Sequence, residues 1–181
     1  MPTPSPARLI IETLAARSQT LAVAESLTGG GLGFALTQIT GASAVFLGGI
    51  ISYTTEVKVR ELSVGQSIID QYKVVSEEVA IEMADGAKSK FATTWAISTT
   101  GVAGPGDYQG VREGTVWIAI RGPINQTLTL TLDGGRDGVR QGAISSAIGT
   151  FARILNPEPL VDIRKERCHG STSPSSWSHT S

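Results

Sequence analysis

The stretch Ala24-Glu25-Ser26-Leu27-Thr28-Gly29-Gly30-Gly31 constrains this chain more than any other. An apolar run, Thr20 to Ala24, leads into it, and the helix-like segment Leu32 to Ile39 leads out. A strand that turns through glycines into a helix leaves backbone N–H groups without intrahelical partners. A serine at that turn sits beside donors able to hold an anion or a developing oxyanion. Two uses follow: a nucleophile with its oxyanion hole, or a cradle for a phosphate. The same serine also suits a plain helix N-cap.

What the chain lacks narrows the chemistry. Its one cysteine, Cys168, and both histidines, His169 and His179, fall in the segment Arg164 to Ser181, whose Ser, Thr and charge content reads as a disordered tail. The expected layout is an N-terminal tail over residues 1–6, one domain over 7–160 and a C-terminal tail over 161–181. A domain without His or Cys has no Ser-His-Asp triad, no Cys-His pair, no disulfide framework and no zinc site built on those ligands. A serine nucleophile must then draw on a lysine or a carboxylate as base, and a metal site would be all-oxygen. The formal net charge of −1 offers no electrostatic footprint for nucleic acid or an anionic membrane. No apolar run reaches the roughly 18–20 residues of a membrane span. The start Met1-Pro2-Thr3-Pro4-Ser5-Pro6 lacks the basic region and apolar core of a secretory signal. The expectation is a soluble cytoplasmic domain.

Periodicity sets the architecture. Pro6 to Ala16 reads as a helix with Ile10, Ile11, Leu14 and Ala15 on its apolar face, followed by a short buried strand over Leu21 to Ala24. Thr28 to Ile39 is predicted helical and Val45 to Tyr53 strand-like. A short helix is predicted over Thr55 to Leu62, with Thr54 or Thr55 as N-cap. Ser76 to Lys90 is the clearest helix, with Glu77 and Glu78 at its positive start and Lys88 and Lys90 at its end. Trp95 to Thr99 is a buried strand that runs into the glycine-rich loop Gly101 to Gly114. Thr115 to Ile120 and Gln126 to Leu132 form a hairpin, and Arg136 to Leu155 is the last helix. Helices interleaved with buried strands predict an α/β fold: a single three-layer α/β/α domain whose sheet is mixed but mostly parallel. Ligands in such sheets bind beyond the strand ends, which singles out Glu25 to Gly31, Tyr53 to Lys58 and Thr100 to Gly106.

Those segments form an ordered set. Ala24-Glu25-Ser26-x-Thr28-Gly29-Gly30 is followed by Gly49-x-x-Ser52-Tyr53-x-x-x-x-Lys58, then Thr99-Thr100-Gly101-Val102-Ala103-Gly104-Pro105, and finally Gly135-Arg136-x-x-x-Arg140. Together they resemble the CinA C-terminal domain family, the PncC-type nicotinamide mononucleotide deamidases, over roughly residues 8–155. The resemblance implies an amidohydrolase that converts nicotinamide mononucleotide (NMN) to nicotinic acid mononucleotide and ammonia in pyridine nucleotide salvage. It implies no cofactor and no metal, and a homodimer or higher homo-oligomer. Its catalytic residues would be Ser26, Tyr53 and Lys58, with Arg136 in the substrate site. This chain departs from the family pattern at Leu27, commonly cysteine, at Thr55, often Asn or Asp, and at Val111-Arg112-Glu113, which replaces a usual Lys-Pro.

The residues support the same chemistry on their own terms. A serine hydroxyl needs a base, and Lys58 is the best-placed one. Its amine, ordinarily near 10.4, must be brought down by desolvation or by a neighbouring cation such as Arg136. Tyr53 is expected to relay a proton between Ser26 and Lys58 or to orient the ammonium. The N–H groups of Thr28, Gly29 and Gly30 are expected to hold the oxyanion. A phosphate is expected against Arg136 and the Thr100, Gly101 and Gly104 backbone. Glu25 is expected to hydrogen-bond the glycine turn. The alternative is a nucleotide-binding module of the same fold with impaired catalysis, a reading motivated by Leu27 and the Gly106 to Glu113 loop.

Overall fold

The structure, a computed structural model, describes residues 5–157. The expected tail over 161–181, with Cys168, His169 and His179, lies outside the described residues. At the other end the expected boundary moves: Ser5 caps the first helix by accepting from Arg8 N, and Pro6 is that helix's first residue. Ser5 and Pro6 therefore belong to the folded unit.

Twelve segments make up the described residues. They are α1 (Pro6–Ala16), β1 (Leu21–Glu25), α2 (Gly31–Thr37), a 3₁₀ turn (Ala42–Ala44), β2 (Phe46–Ile51) and α3 (Thr55–Leu62). After these come α4 (Gln66–Tyr72), α5 (Glu77–Phe91), β3 (Trp95–Gly101), β4 (Thr115–Arg121), β5 (Gln126–Thr131) and α6 (Gly135–Leu155). The strands form one sheet in the order β2-β1-β3-β4-β5. β1 pairs parallel with β2 and β3, and β4 runs antiparallel to both β3 and β5. All strands but β4 thus point the same way, while the pairings divide evenly between parallel and antiparallel.

The two faces of the sheet are distinguished by side-chain size. Leu21, Val23, Trp95, Ile97, Val116, Ile118 and Ile120 fill the side covered by α1, α2 and α6, where Trp95 meets Phe151 edge-on at 5.1 Å. Ala22, Ala24, Ala96 and Ala119 face the opposite side, against Ala80, Ala84 and Ala87 of α5. Small residues on both partners let α5 lie close to the strands, and the Ser98 hydroxyl donates to the Ala80 carbonyl across the contact. Gly86 continues this theme. A β-carbon there would fall on the Leu62 carbonyl, so α5 also closes against the end of α3. Helices on both faces complete the three layers. No helix among the described residues is long and apolar enough to cross a membrane.

Element ends shift from expectation for identifiable reasons. α2 begins at Gly31 and not at Thr28, because Gly29 and Gly30 sit at φ +60° and +94°, outside helical space. β3 continues to Gly101 because Thr100 and Gly101 pair with Trp117 and Val116. α4 lies beyond the expected elements: it is seven residues long and buries only Ile69. The parallel course of β1, β2 and β3 brings Glu25 to Gly31, Tyr53 to Lys58 and Thr100 to Gly106 to one edge of the sheet, and β5 delivers the start of α6 to the same edge.

Candidate active site

The turn after β1 is organised by its own carboxylate. Glu25 is 2% exposed. Its Oε2 accepts from Gly30 N at 2.9 Å and Leu32 N at 3.0 Å, and its Oε1 accepts from Gly33 N at 2.8 Å. The carboxylate thus takes up the free donors at the start of α2 that a bound anion would otherwise use. Gly29 N donates to the Ser26 carbonyl and Gly31 N to the Thr28 carbonyl. This corrects the expected roles of Gly29 and Gly30 as oxyanion donors. The Gly29 and Gly30 donors are committed within the turn. Thr28 is fully buried, its hydroxyl 2.7 Å from that of Thr99, and none of the three lines the cavity. The N–H groups of Leu27 and Thr28 stay outside the hydrogen bonds of this turn.

Lys58 is delivered by α3. Thr54 is the N-cap of that helix, accepting from Val57 N, so Lys58 falls one turn in, on the face toward β1. The side chain is 1% exposed. Nζ donates to Ser26 Oγ at 2.9 Å and to the Ser52 carbonyl at 2.6 Å. No carboxylate pairs with it among the described residues. Burial without a counter-charge disfavours the ammonium and lowers the lysine to about 8. Desolvation is the cause; Arg136 does not contribute. The serine lies 8% exposed at the other end of the bond, with its own N–H donated to the Thr99 carbonyl. When the lysine is neutral, the same line of approach lets it accept the serine proton.

A cavity of ≈ 600 Å³ opens over this pair. Leu27, Val74, Val75 and Val102 give it an apolar wall, and Thr100, Gly101 and Gly104 line it with backbone. The Thr100 hydroxyl is spoken for, donating to the Val74 carbonyl at 3.1 Å. Arg136 spans the mouth: Nη1 donates to the Gly104 carbonyl at 2.9 Å and Nη2 to the Tyr53 hydroxyl at 2.8 Å. Tyr53 is 56% exposed and held by Arg136, while Ser26 and Lys58 touch directly. The expected relay through Tyr53 is therefore not the observed arrangement. In the loop beyond Gly104, Glu113 accepts from Gly106 N, and Asp107 accepts from Glu113 N.

Two contributors escaped the sequence reading. One is the Ser52 carbonyl, a backbone group with no sequence signature. The other is Arg140, the second arginine of the motif, which donates to the carbonyls of Leu27 and Thr28. Its position four residues after Arg136 was the available signal, since that spacing puts both arginines on one helix face.

Comparison with known proteins shows the family of the chain. The CinA C-terminal domain family matches over residues 4–155. A "CinA-like protein" of Nostoc punctiforme is 40% identical over 154 residues, covering 82% of this chain and 37% of the relative. One from Frankia casuarinae is 42% identical over 148 residues, covering 81% of this chain and 34% of the relative. The chain thus spans little more than a third of the length of these relatives. Among solved structures, a CinA superfamily protein from Escherichia coli superposes with a TM-score of 0.80 at 29% identity, over 85% of this chain and 94% of that one. The competence/damage inducible protein CihA from Agrobacterium tumefaciens gives 0.77 at 31% identity, over 86% and 99%. The chain belongs to the CinA C-terminal domain family.

Proposed function

We propose that this domain is an amidohydrolase of the Ser-Lys type, acting on the carboxamide of NMN to give nicotinic acid mononucleotide and ammonia. The observation that carries the reading is the 2.9 Å contact between Lys58 Nζ and Ser26 Oγ beneath an open cavity. As neutral amine, Lys58 takes the serine proton while Oγ bonds to the amide carbon. The tetrahedral intermediate collapses with cleavage of the C–N bond, and the lysine returns the proton to the departing nitrogen as ammonia. Water then adds to the acyl-serine with its proton taken by Lys58, and Ser26 is released. The apolar wall suits an aromatic ring, and the Arg136 guanidinium at the mouth suits a phosphate. The proposal includes a place in pyridine nucleotide salvage in the cytoplasm and a homo-oligomeric state. It calls on no cofactor, nucleic acid or membrane.

The test is ammonia release from NMN by the purified chain, with Ser26→Ala and Lys58→Ala beside it. Turnover by wild type and its loss in both variants is expected. Leu27 on the cavity wall favours the second reading, a nucleotide-binding module. Saturable binding of NMN without ammonia release would establish that one instead.

A further inference from the structure

The motif Gly135-Arg136-x-x-x-Arg140 sends two arginines from the start of α6 toward the strand ends. Arg136 reaches the cavity mouth; Arg140 has no part in the steps above. Its half-buried guanidinium donates from Nε to the Leu27 carbonyl at 3.2 Å and from Nη2 to the Thr28 carbonyl at 3.1 Å. No carboxylate pairs with it among the described residues. Both carbonyls belong to the residues that directly follow Ser26.

Gripping a carbonyl also fixes the N–H of the same peptide unit. In a trans peptide the N–H points opposite the C=O. Holding the Leu27 carbonyl toward α6 therefore sets the direction of the Thr28 N–H, and a cation on the carbonyl oxygen polarises that N–H into a stronger donor. Glu25 secures the other flank of the turn through Gly30, Leu32 and Gly33. Between the two clamps lie Gly29 and Gly30 at positive φ, residues whose peptide planes reorient easily when unrestrained. The donors left over beside the nucleophile are those of Leu27 and Thr28.

We infer that Arg140 is a positioning residue for acyl transfer, holding the Leu27 and Thr28 carbonyls so that the Thr28 N–H, close after Ser26, is fixed for the tetrahedral oxyanion. The inference rests on the proposed role of Ser26 as nucleophile. Arg140 makes no hydrogen bond to Ser26 Oγ or Lys58 Nζ, so it acts on the intermediate and not on the base.

The experiment follows phosphonylation of Ser26 by a fluorophosphonate, read by mass, beside steady-state turnover of NMN. Arg140→Gln is expected to slow both by about 10²-fold. KM should stay within about two-fold, and the midpoint of the pH–rate curve should not move. Arg140→Lys keeps the charge but not the forked grip; it should melt like wild type yet react about 10-fold more slowly. Free methylguanidinium should restore rate to Arg140→Ala where methylammonium does not. An Arg140→Lys chain that reacts at the wild-type rate, a defect seen only in KM, or a shifted pH midpoint overturns the role of Arg140 and leaves Ser26 standing. Wild type that is not modified at Ser26 overturns both.

Discussion

Lys58 carries a charge into a place that does not compensate it, and that single fact governs both rate and stability. Only the neutral amine accepts the serine proton, so the pH–rate curve should rise through about 8. A flat profile between pH 6 and 9 would exclude Lys58 as the base. The same group makes stability pH-dependent. Unfolded, the lysine titrates at 10.5; folded, at about 8. Between those values the unfolded chain binds the proton and the folded one does not, so stability rises with pH. Below pH 8 the full penalty of burying the ammonium is present. Relative to Lys58→Met, which has no charge to bury, wild type should gain about 2 kcal/mol between pH 7 and 10. Paired denaturation curves at the two pH values check this. The Ser26–Lys58 pair was legible because excluding His and Cys left a lysine or a carboxylate as base, and the motif resemblance pointed to Lys58. Its partner at Ser52 was not, since a carbonyl oxygen is common to every residue. Tyr53 misled for the opposite reason: its place in the motif says it is near the site, not which neighbour its hydroxyl meets.

At the level of elements, legibility tracked how much of an element's cause is local. α5 was visible in full because its Ser76 cap, its acidic first turn and its basic last turn all lie within its own span. The start of α2 was misjudged because its capping group is Glu25, reaching Gly30, Leu32 and Gly33 from the end of the preceding strand. α4 buries one residue and offers no amphipathic stripe to detect. The element that most affects the site is α3, and α5 holds it in place. A β-carbon at Gly86 collides with backbone at Leu62, and backbone does not move aside cheaply. Gly86→Ala should therefore destabilise the domain by about 2 kcal/mol despite the better helix propensity of alanine. It should also lower the rate of Ser26 modification by displacing the helix that presents Lys58. Thermal melts and labelling rates on the same variant test both halves. Wild-type stability and reactivity in Gly86→Ala would show that α3 and α5 pack with slack.

At the scale of the molecule, the sheet order leaves two edges, and they differ in chemistry. β5 turns Gln126, Thr129 and Thr131 outward, polar side chains suited to water. β2 exposes Leu47 and Ile51 at 48% and 55%, with Phe34 of α2 at 66%. From Gly41 to Thr55 the chain has no charged residue, so this edge carries none of the lysines or glutamates that usually discourage strand pairing. An uncharged apolar edge repels no copy of itself, and two copies related by a two-fold axis would each cover the other. The homo-oligomer proposed above is therefore expected to form through β2. Leu47→Lys with Ile51→Lys places like charges across such a pairing and should convert the assembly to monomer in sedimentation velocity, with little effect on the fold because both side chains already face solvent. Leu47→Lys alone asks whether catalysis needs the assembly, because Ile51→Lys also changes a side chain beside the nucleophile turn. Ile51 contacts the Gly30 side of the nucleophile turn, where a β-carbon on Gly30 would meet its Cδ1 at 3.1 Å. Ile51→Lys is thus expected to loosen that turn and slow Ser26 modification severalfold whether or not the copies separate. A monomeric variant that reacts at the wild-type rate would separate assembly from chemistry, and an unchanged sedimentation coefficient would move the interface away from β2.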